Sequence, residues 1–430
     1  MNARTPILFD ATRLVNRRQW GSPTGIDRVL LAYAKWLLYE QTSIELTPVV
    51  SWSGRLTAMP TSLLQKLVLE ADEFGAGPPS AAPSVLSDLI ARLQPGVEDH
   101  VALRAGRTSP RPAWFHGKLA AGRKYVRSRV QQEPPRGVYL NVGHSGLDRP
   151  GFLDRLSRRG LTLVIMLQDL IPISWPEYCA PAASARHIER VDSTLRNANL
   201  VLANSQSTAD GISAYARSRG LRLPRMEVTK LGIESSFLRC EAPRSALRPY
   251  FLFIGTIEAR KNLAFLLTVW RRLGEEMGAS TPHLVLLGRR GWENESAIDL
   301  LERSAVVKSV VHEAADLGDH AAVALLAGAR ALLAPSFAEG FDLPVMEGRV
   351  LGTPVIASDI PVHRELAPEA ELIDPLDGSA WAAAIRRQTL SPLRRVAYEA
   401  PTWEAHFDQV SILLGLTDKT APKSLRAARA

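Results

Sequence analysis

Cysteine is scarce in this chain, which has only Cys179 and Cys240 among its 430 residues. Two cysteines cannot build a disulfide framework or a zinc site held by cysteines, so a reducing compartment is expected. No stretch approaches the roughly 18 unbroken apolar residues of a membrane-spanning helix. The first residues, MNARTPILFDATR, are too short and too polar for a secretory signal, which predicts a cytoplasmic protein.

The sequence also lacks internal repeats and any Asp-X-Asp cluster of the kind that holds a metal ion. Hydrophobic residues make up 46% and charged residues 22%, which excludes a disordered or fibrous chain. The length predicts two or three domains. The net charge of +8 favours an anionic partner, and by itself it does not distinguish a nucleotide, a nucleic acid or a lipid surface.

Short apolar runs alternate with helical patterns, first in one half of the chain and then in the other. Runs that are apolar on both faces are typical of parallel strands covered by helices. Two such series predict two Rossmann-like, doubly wound α/β domains that face a cleft. The predicted strands are Pro6–Phe9, Leu46–Val50, Val138–Val142, Leu161–Leu167, Asn199–Ala203, Met226–Lys230, Tyr250–Ile254, His283–Leu287, Ala331–Ala334, Pro354–Ala357 and Glu371–Ile373.

Two segments interrupt this alternation. The stretch RCEAPRSALRP (239–249) separates a predicted N-terminal domain, 1–240, from a second domain, 249–395. The first domain carries an insertion at about 76–136, in which residues 104–136 have nine basic side chains and one acid. Its cations and aromatics allow two interpretations: a patch that binds an anionic membrane surface, or a solvated insertion.

The strongest motif is APSFAEGFDLPVMEGRVLGTP, residues 334–354. A strand ends at Ala334, a loop holds Glu339, and a helix is predicted to begin near Asp342 because proline follows in its first turn. Backbone N–H groups at such a helix start bind anions. Glu339 and Glu347 are acceptor-only carboxylates, which suit the hydroxyls of a hexose and a ribose. The alternative for Glu347 is a simple interaction with the helix dipole.

The second motif is FIGTIEARKN, residues 253–262. A strand ends at Gly255, and Arg260 and Lys261 precede a helix that Asn262 is predicted to cap. Adjacent cations at this turn suit a diphosphate, with arginine as a fork and lysine as a point charge. The alternative is two solvated cations, which the helix dipole would disfavour.

Other candidates follow predicted strands of the first half. Gly25 lies between the first strand and an apolar helix, where it either approaches a phosphate or sugar or merely forms a turn. Polar residues at the carboxyl ends of parallel strands face the ligand edge, here His144, Gln168, Asp169 and Ser205. A lone histidine is more often structural, so His144 has both interpretations.

These motifs together resemble the retaining GT-B glycosyltransferases of the "group 1" family. The resemblance rests on Gly255–Asn262, the Glu339 and Glu347 pair, and the GTPVIAS segment after it. It is nearest to bacterial mannosyltransferase-like members that assemble O-antigen, capsule or exopolysaccharide. Their N-terminal halves carry segments similar to TGIDRV (24–29) and DLIP…PE (169–177) here. The resemblance is weak over residues 51–136 and strong over residues 250–374.

The resemblance implies roles for individual residues. Arg260 and Lys261 would hold the donor diphosphate and stabilise the leaving group. Glu339 would contact hydroxyls of the transferred sugar, and Glu347 the nucleotide ribose. Further donor contacts are implied for Gly25, Gly255, the backbone of Phe341, Asp342 and Leu343, and, near the base, Gly288 and the Val311-His312 region.

One position departs from the family pattern. Similar sequences usually have histidine before the DLIP segment, near the donor sugar, whereas this chain has Gln168. Glutamine can hydrogen-bond a hydroxyl, but it cannot take a proton. A proton-transfer role is therefore not expected there, and His144, Gln168, Asp169 and Ser205 remain candidates for the acceptor side of the cleft.

The implied activity is transfer of a hexose, expected to be mannose from a GDP-linked donor, with retention of configuration. The acceptor would be a growing oligosaccharide or polyprenyl-linked glycan. Fixed cations would replace a metal ion, so no cofactor is expected. The resemblance further implies a C-terminal helix within 396–430 that crosses back to the first domain.

Two other functions stay open at this point. One is a different enzyme on the same scaffold, such as a sugar-nucleotide epimerase or an inverting transferase. The other is a non-catalytic GT-B scaffold that binds glycans or partner enzymes, which Gln168 makes conceivable. A nucleic-acid partner is not expected, because the basic residues form no recognisable binding module.

Overall fold

The computed structural model describes residues 4–17, 24–52, 54–75, 82–94, 137–237, 248–315, 317–392, 394–396 and 398–416. The predicted basic patch at 104–136 lies outside these residues. So does most of the interruption at 239–249.

A mostly parallel seven-stranded sheet forms the core of the first half. Its strands are β1 (Thr5–Asp10), β2 (Ile44–Trp52), β3 (Arg55–Ala58), β4 (Val138–Asn141), β5 (Thr162–Leu167), β6 (Leu200–Ala203) and β7 (Arg225–Val228). Their order is β3-β2-β1-β4-β5-β6-β7. All neighbours are parallel except β2 and β3, which form an antiparallel hairpin.

A fully parallel six-stranded sheet forms the core of the second half. Its strands are β8 (Tyr250–Ile254), β9 (His283–Leu287), β10 (Val311–Ala314), β11 (Leu332–Ala334), β12 (Val355–Ser358) and β13 (Glu371–Ile373). Their order is β10-β9-β8-β11-β12-β13. The two sheets confirm the predicted pair of Rossmann-like domains.

Helices connect the strands and cover both sheets. In the first half they are α1 (Thr12–Arg17), α2 (Gly25–Lys35) with a π-helical end (Trp36–Glu40), α3 (Thr61–Gly75), α4 (Ala82–Arg92), α5 (Phe152–Arg158), α6 (Ile171–Ser174), α7 (Ala183–Asn197) and α8 (Gln206–Ser218). In the second half they are α9 (Leu263–Met277), α10 (Glu295–Arg303), α11 (Ala305–Val310), α12 (Asp319–Gly328), α13 (Leu343–Val350), α14 (Pro361–Leu366), α15 (Gly378–Leu390) and α16 (Trp403–Leu413). Single 3₁₀ turns occur at Pro176–Tyr178, Ser235–Phe237, Ala259–Lys261 and Gly278–Ser280.

The amphipathic pattern after Asn262 explains how α9 packs. Leu266 and Trp270 are fully buried against the second sheet, whereas Arg271 and Arg272 lie on the exposed side and pair with glutamates one turn later. The Trp270 indole N–H donates to the carbonyl of Pro282 (2.9 Å), so the large ring is buried with its polar atom satisfied.

Two observed strands are absent from the sequence prediction. Strand β3 is a short edge strand, and its hairpin turn contains Gly54 at φ +77°. Strand β10 reads VHEA, and its polar residues hide it from a search for apolar runs. They are buried because they pair: His312 contacts His283 (Nε2 to Nδ1, 2.8 Å), and Glu313 accepts two hydrogen bonds from Arg290.

Helix α16 packs against the first domain. Phe407 stacks on Trp36 with ring centroids 4.6 Å apart, and His406 Nε2 lies 2.9 Å from the Tyr33 hydroxyl. An isolated bridge between Ile233 and Thr402 aligns the chain just before the helix. The end of the described chain therefore ties the second half back to the first.

A buried carboxyl at the end of β1 predicts a pH dependence of stability. Burial raises the pKa of Asp10 from 3.8 to about 6, against hydrogen bonds from the Tyr139 hydroxyl (2.7 Å) and the Thr12 N–H (2.9 Å). Between these two values the unfolded chain releases the proton while the folded protein keeps it. The free energy of unfolding therefore falls by about 2 kcal/mol as pH rises from 4 to 6.

Asp10→Asn removes this titration, so the stability of the variant relative to wild type should increase as pH rises from 4 to 7. Urea denaturation of both proteins at each pH measures the difference and cancels the other titrating groups. A difference that is independent of pH would show that Asp10 is ionised in both states.

Candidate functional site

The turn after β8 brings two cations to the carboxyl edge of the second sheet. Gly255 takes φ +148°, and Ala259–Lys261 form one 3₁₀ turn before α9. The Lys261 side chain lies beneath Gly255, where an added Cβ would be 3.2 Å from Lys261 Cε. The predicted cap is wrong: Asn262 takes φ +57°, and its amide donates to the Pro375 carbonyl (2.9 Å) instead of the helix.

Glu339 joins these cations from a distant part of the sequence. Its Oε2 lies 2.7 Å from Arg260 Nη1, and its Oε1 lies 2.7 Å from Lys261 Nζ. Arg260 Nη1 also donates to the carbonyl of Ala338 (3.1 Å), which fixes the loop around the glutamate. The three predicted catalytic residues therefore form one buried cluster, hereafter the Arg260–Lys261–Glu339 cluster.

Two further carboxylates complete the charge pattern. Glu258 Oε1 lies 2.6 Å from Arg260 Nε, and Asp342 Oδ1 lies 3.5 Å from Lys261 Nζ. Burial opposes ionisation of Asp342, but Lys261 and His363 outweigh it and hold its pKa below the ordinary value. Burial likewise opposes ionisation of Glu339, and Arg260 and Lys261 lower its pKa. Glu339 is therefore an anion at neutral pH.

Helix α13 begins at the edge where these groups meet. Phe341 is buried, Asp342 takes φ +61°, and Pro344 follows Leu343 in the first turn, as predicted. The Asp342 side chain does not cap the helix, because its Oδ2 is 3.1 Å from His363 Nε2. His363 in turn contacts the Ser358 carbonyl through Nδ1 (2.8 Å). Sequence reasoning missed His363, which carries no local signal.

Glu347 lies farther along α13 and meets an arginine from the other domain. Arg28, on α2, donates to Glu347 through Nη1 and to Asp319 through Nη2. Its guanidinium also lies 5.8 Å from the centre of the Phe237 ring. Burial raises the pKa of Glu347 despite this pairing. The sequence analysis identified Gly25 in the TGIDRV segment and missed Arg28 three residues later.

The glycine of that segment faces the same helix. A Cβ built on Gly25 would be 3.9 Å from Leu343 Cδ1, so the start of α2 lies opposite the start of α13. Gly288 lies at the carboxyl end of β9, where its added Cβ would be 1.9 Å from the Gly255 carbonyl oxygen. Only glycine fits so close to a neighbouring backbone.

The structure places His312 apart from Gly288, the other residue predicted to lie near the nucleotide base. His312 stacks on His283, the first residue of β9, with ring centroids 5.1 Å apart. It therefore lies toward the amino end of the sheet, away from Gly288 at the carboxyl end. Burial lowers the pKa of His312 to about 3, and it is neutral at physiological pH.

The loop that holds Glu339 touches the acceptor-side candidates directly. The Gly340 carbonyl accepts hydrogen bonds from the hydroxyls of Ser205 (2.8 Å) and Thr208 (3.3 Å). A Cβ built on Gly340 would be 2.1 Å from the Gln168 carbonyl oxygen and 3.1 Å from Asp169 Cβ. Gln168, Asp169 and Ser205 therefore lie at the interdomain contact beside the cluster.

His144 contacts the backbone of Gln168 at this interdomain contact. It takes φ +62°, and its Nε2 accepts the backbone N–H of Gln168 (3.3 Å). Burial first, and then the nearby charge of Arg190, holds its pKa well below the ordinary value. The neutral ring thus orients Gln168, whose side-chain amide donates to the Val142 carbonyl (2.9 Å). This arrangement favours the structural interpretation of His144.

Gly340→Ala is expected to disrupt the contact between the domains. The methyl group has no room against the Gln168 backbone, so the loop must shift and the Ser205 hydrogen bond is lost. We expect a melting temperature lower by several degrees, from a cost of about 1–3 kcal/mol. Gly211→Ala is the matched control, because Leu170 Cδ1 is 3.7 Å away and alanine favours the helix. Equal melting temperatures for the two variants would contradict this contact.

No group of three or more potential metal ligands occurs within the described segments. None of the helices in those same segments has the length and hydropathy needed to cross a bilayer.

Two Rossmann-like domains with facing carboxyl edges define the GT-B class of glycosyltransferase scaffold. Over 96% of this chain and 100% of the other, the fold is similar to HepE from Anabaena, solved with UDP and glucose (TM-score 0.59, 15% identity). Residues 248–389 match the family described as "Glycosyl transferases group 1". The C-terminal domain is thus similar to group 1 glycosyltransferase domains, in agreement with the resemblance and the fold expected from the sequence.

Curated relatives of the chain are mannosyltransferases. The chain is 32% identical over 242 residues to "O-antigen chain mannosyltransferase B" of Escherichia coli. This match covers 52% of this chain and 60% of that protein. It is 24% identical over 233 residues to "Serotype-specific mannosyltransferase WbdA" of Escherichia coli, which covers 50% of this chain and 28% of that protein. The matches therefore span less than two thirds of either relative.

Proposed function

We propose that this protein is a glycosyltransferase that moves a mannosyl group from a nucleoside-diphosphate donor, expected to be GDP-mannose, to a growing O-antigen-type glycan. The observation that carries the proposal is the largely buried Arg260–Lys261–Glu339 cluster at the interdomain contact, with Glu347 on helix α13, which follows the loop of Glu339. The names of the relatives support mannose and O-antigen, and HepE supports a nucleotide-sugar partner.

The cluster would act mainly on the leaving group. Departure of the nucleoside diphosphate develops negative charge on phosphate oxygens, and fixed cations stabilise that charge without rearranging solvent. Arg260 and Lys261 are held by Glu339 on one side, so they are already oriented when the donor binds. The diphosphate would share these two cations with the glutamate rather than replace it.

Glu339 and Glu347 would bind the two sugar rings of the donor. Glu339 is ionised, and a carboxylate accepts hydrogen bonds from hydroxyl groups, which suits the transferred hexose. Glu347 gives one oxygen, Oε1, to Arg28, which leaves Oε2 for hydroxyls of the ribose. Transfer with retention, by attack on the face that the diphosphate leaves, and a lipid-linked acceptor belong to the same proposal.

The test combines binding and turnover. GDP, UDP and their sugars are first compared for the rise in melting temperature that a ligand specific for the native state produces. The donor that binds is then incubated with mannose-terminated oligosaccharides, and the product anomer is read by NMR. Binding without transfer or donor hydrolysis would favour a non-catalytic scaffold, and an inverted anomer would contradict the proposed stereochemistry.

Metal independence is a further expected result of the proposal. If Arg260 and Lys261 neutralise the diphosphate, turnover should be unchanged in excess EDTA and should not rise when Mg²⁺ or Mn²⁺ is restored. The measurement is the initial rate of GDP release with and without chelator. A chelator-sensitive rate that a divalent ion restores would show that the two cations are insufficient.

A further inference from the structure

Arg190, on α7, is a cation in the first domain that the proposed reaction does not use. Its Nη1 lies 2.9 Å from His187 Nδ1, and its Nε is buried without a hydrogen-bond acceptor. Within the described residues it pairs with no carboxylate. Burial lowers the pKa of Arg190 even though the charges of Asp148 and Asp169 oppose that shift.

Other basic groups surround this guanidinium. Arg186 lies one helical turn earlier, is exposed, and uses its Nε only for the carbonyl of Ala182 (3.3 Å). The charges of Arg186 and Arg13 both act against that of Arg190. The His187 ring lies 6.2 Å from that of His144.

Arg190 is half-buried, and its cost to the folded state lies at the buried Nε, which has no acceptor. A buried charge is normally paired, and an unpaired one destabilises the folded state unless something else compensates it. The planar guanidinium fork matches the oxygens of a phosphate or a carboxylate. Because the described residues supply no carboxylate partner for Arg190, such an oxyanion from a ligand fits this position.

The location of Arg190 indicates which ligand of the cleft would carry this oxyanion. His187 Nε2 contacts the Asp169 carbonyl (3.0 Å), and Asp169 lies against Gly340, next to Glu339. Arg190 thus lies on the side of the cleft that the N-terminal domain forms. Arg260 and Lys261, the cations proposed to bind the donor, belong to the C-terminal domain. This separation favours the acceptor as the source of the charge.

We propose that Arg190 and Arg186 form an acceptor subsite for an anionic group, a phosphate or a carboxylate, carried by the glycan that receives the sugar. The inference rests on the proposed function, because it assigns the opposite side of the same cleft to the acceptor. It narrows the acceptor to an anionic glycan.

The experiment measures binding of three sugar probes by calorimetry at low salt, with and without saturating GDP. Mannose 6-phosphate carries a phosphate, glucuronate carries a carboxylate, and methyl α-mannoside is neutral. We expect one charged probe to bind and the neutral one to bind at least tenfold more weakly. Arg190→Gln should weaken the charged probe by about ten- to a hundredfold, as expected for a charge-assisted hydrogen bond.

Two further variants separate binding from folding. Arg186→Gln changes an exposed side chain and should weaken the same probe without altering the melting temperature. Arg196→Gln is the matched control on α7, because Arg196 pairs with Asp192 at the far end of the helix and should not affect the probe. Without ligand, Arg190→Gln should melt close to wild type, since Arg190 is half-buried and pairs with no carboxylate of the described residues.

Each of the remaining outcomes contradicts either the anionic subsite or the proposed function. Equal binding of all three probes, or of none, overturns the anionic subsite, as does a charged probe that Arg190→Gln binds normally. Loss of GDP affinity in Arg190→Gln would assign the arginine to the donor diphosphate. If wild type binds a charged probe and no nucleoside diphosphate, the subsite stands and the proposed function fails.

Discussion

Replacing Lys261 with alanine is expected to lower kcat by about two to three orders of magnitude while the protein still folds. A lost donor of this kind typically costs about 3–4 kcal/mol of barrier, because charge that develops on the leaving group is no longer stabilised. The Lys261 ammonium lies beneath Gly255 and 2.7 Å from Glu339, and alanine leaves no positive charge at this position. The initial rate of transfer at saturating donor measures the effect.

Lys261→Ala is also expected to lower the stability of the protein. Because Lys261 is buried, this loss should be larger than for substitution of a surface lysine. Removing one member of a buried ion pair leaves its partner charged and desolvated. Here both partners keep a second contact: Glu339 retains Arg260, and Asp342 retains His363. We therefore expect a loss of stability of about 1–3 kcal/mol, which leaves the folded state populated.

A matched control lies on the next helix. Arg271 is exposed and pairs with Glu275 one turn away, so Arg271→Ala should change stability by less than about 0.5 kcal/mol and leave kcat unaltered. Lys261→Ala that retains kcat within about threefold of wild type, a difference of under 1 kcal/mol in barrier, would remove Lys261 from the proposed leaving-group site.

The sequence predicts the sheets well because parallel strands are buried on both faces. Strand β9 is apolar after its first residue, and every residue in it is buried, so composition alone locates it. Strand β10 escapes the same test because its histidine and glutamate are buried only by virtue of partners on other segments. Pairing between distant segments leaves no periodic signal in the chain.

The functional site shows the same difference between residues that local motifs identify and contacts that they do not predict. Local motifs identified Arg260, Lys261 and Glu339, because each lies at a strand-to-helix turn with recognisable residues around it. Nothing in those motifs indicates that Glu339 contacts both cations, or that the Asp342 side chain turns toward His363 instead of capping its own helix. Such contacts depend on how the loops of adjacent strands meet at the sheet edge.

The contact between Arg28 and Glu347 is the most distant of these, since 319 positions separate the two residues. It also joins the two domains, so it exists only while α2 and α13 face each other. If Glu347 holds the donor ribose, Arg28 positions the residue that binds the donor. Donor binding and the approach of the two domains are then coupled through one guanidinium.

Arg28→Met is expected to raise the KM for the donor by at least tenfold, with a smaller effect on kcat. Without Arg28, the buried Glu347 carboxylate loses the cation that pairs with it, and breaking a buried pair in this way typically costs about 3–5 kcal/mol. Burial already raises the pKa of Glu347, and the loss of Arg28 raises it further. Donor affinity in the variant should therefore improve as pH rises and Glu347 ionises, whereas wild type should depend less on pH.

A double-mutant cycle separates positioning from simple damage. Glu347→Gln alone should weaken donor binding, and adding Arg28→Met to it should cost little more, because the charge that Arg28 compensates has gone. Asp319→Asn is the matched control: Asp319 contacts the same arginine but is not assigned to the ribose, and its charge raises the pKa of Glu347, so its loss should not make donor binding more dependent on pH. Additive effects of Arg28→Met and Glu347→Gln would show that the arginine acts independently of the glutamate, and the coupling between donor binding and domain approach would have to be abandoned.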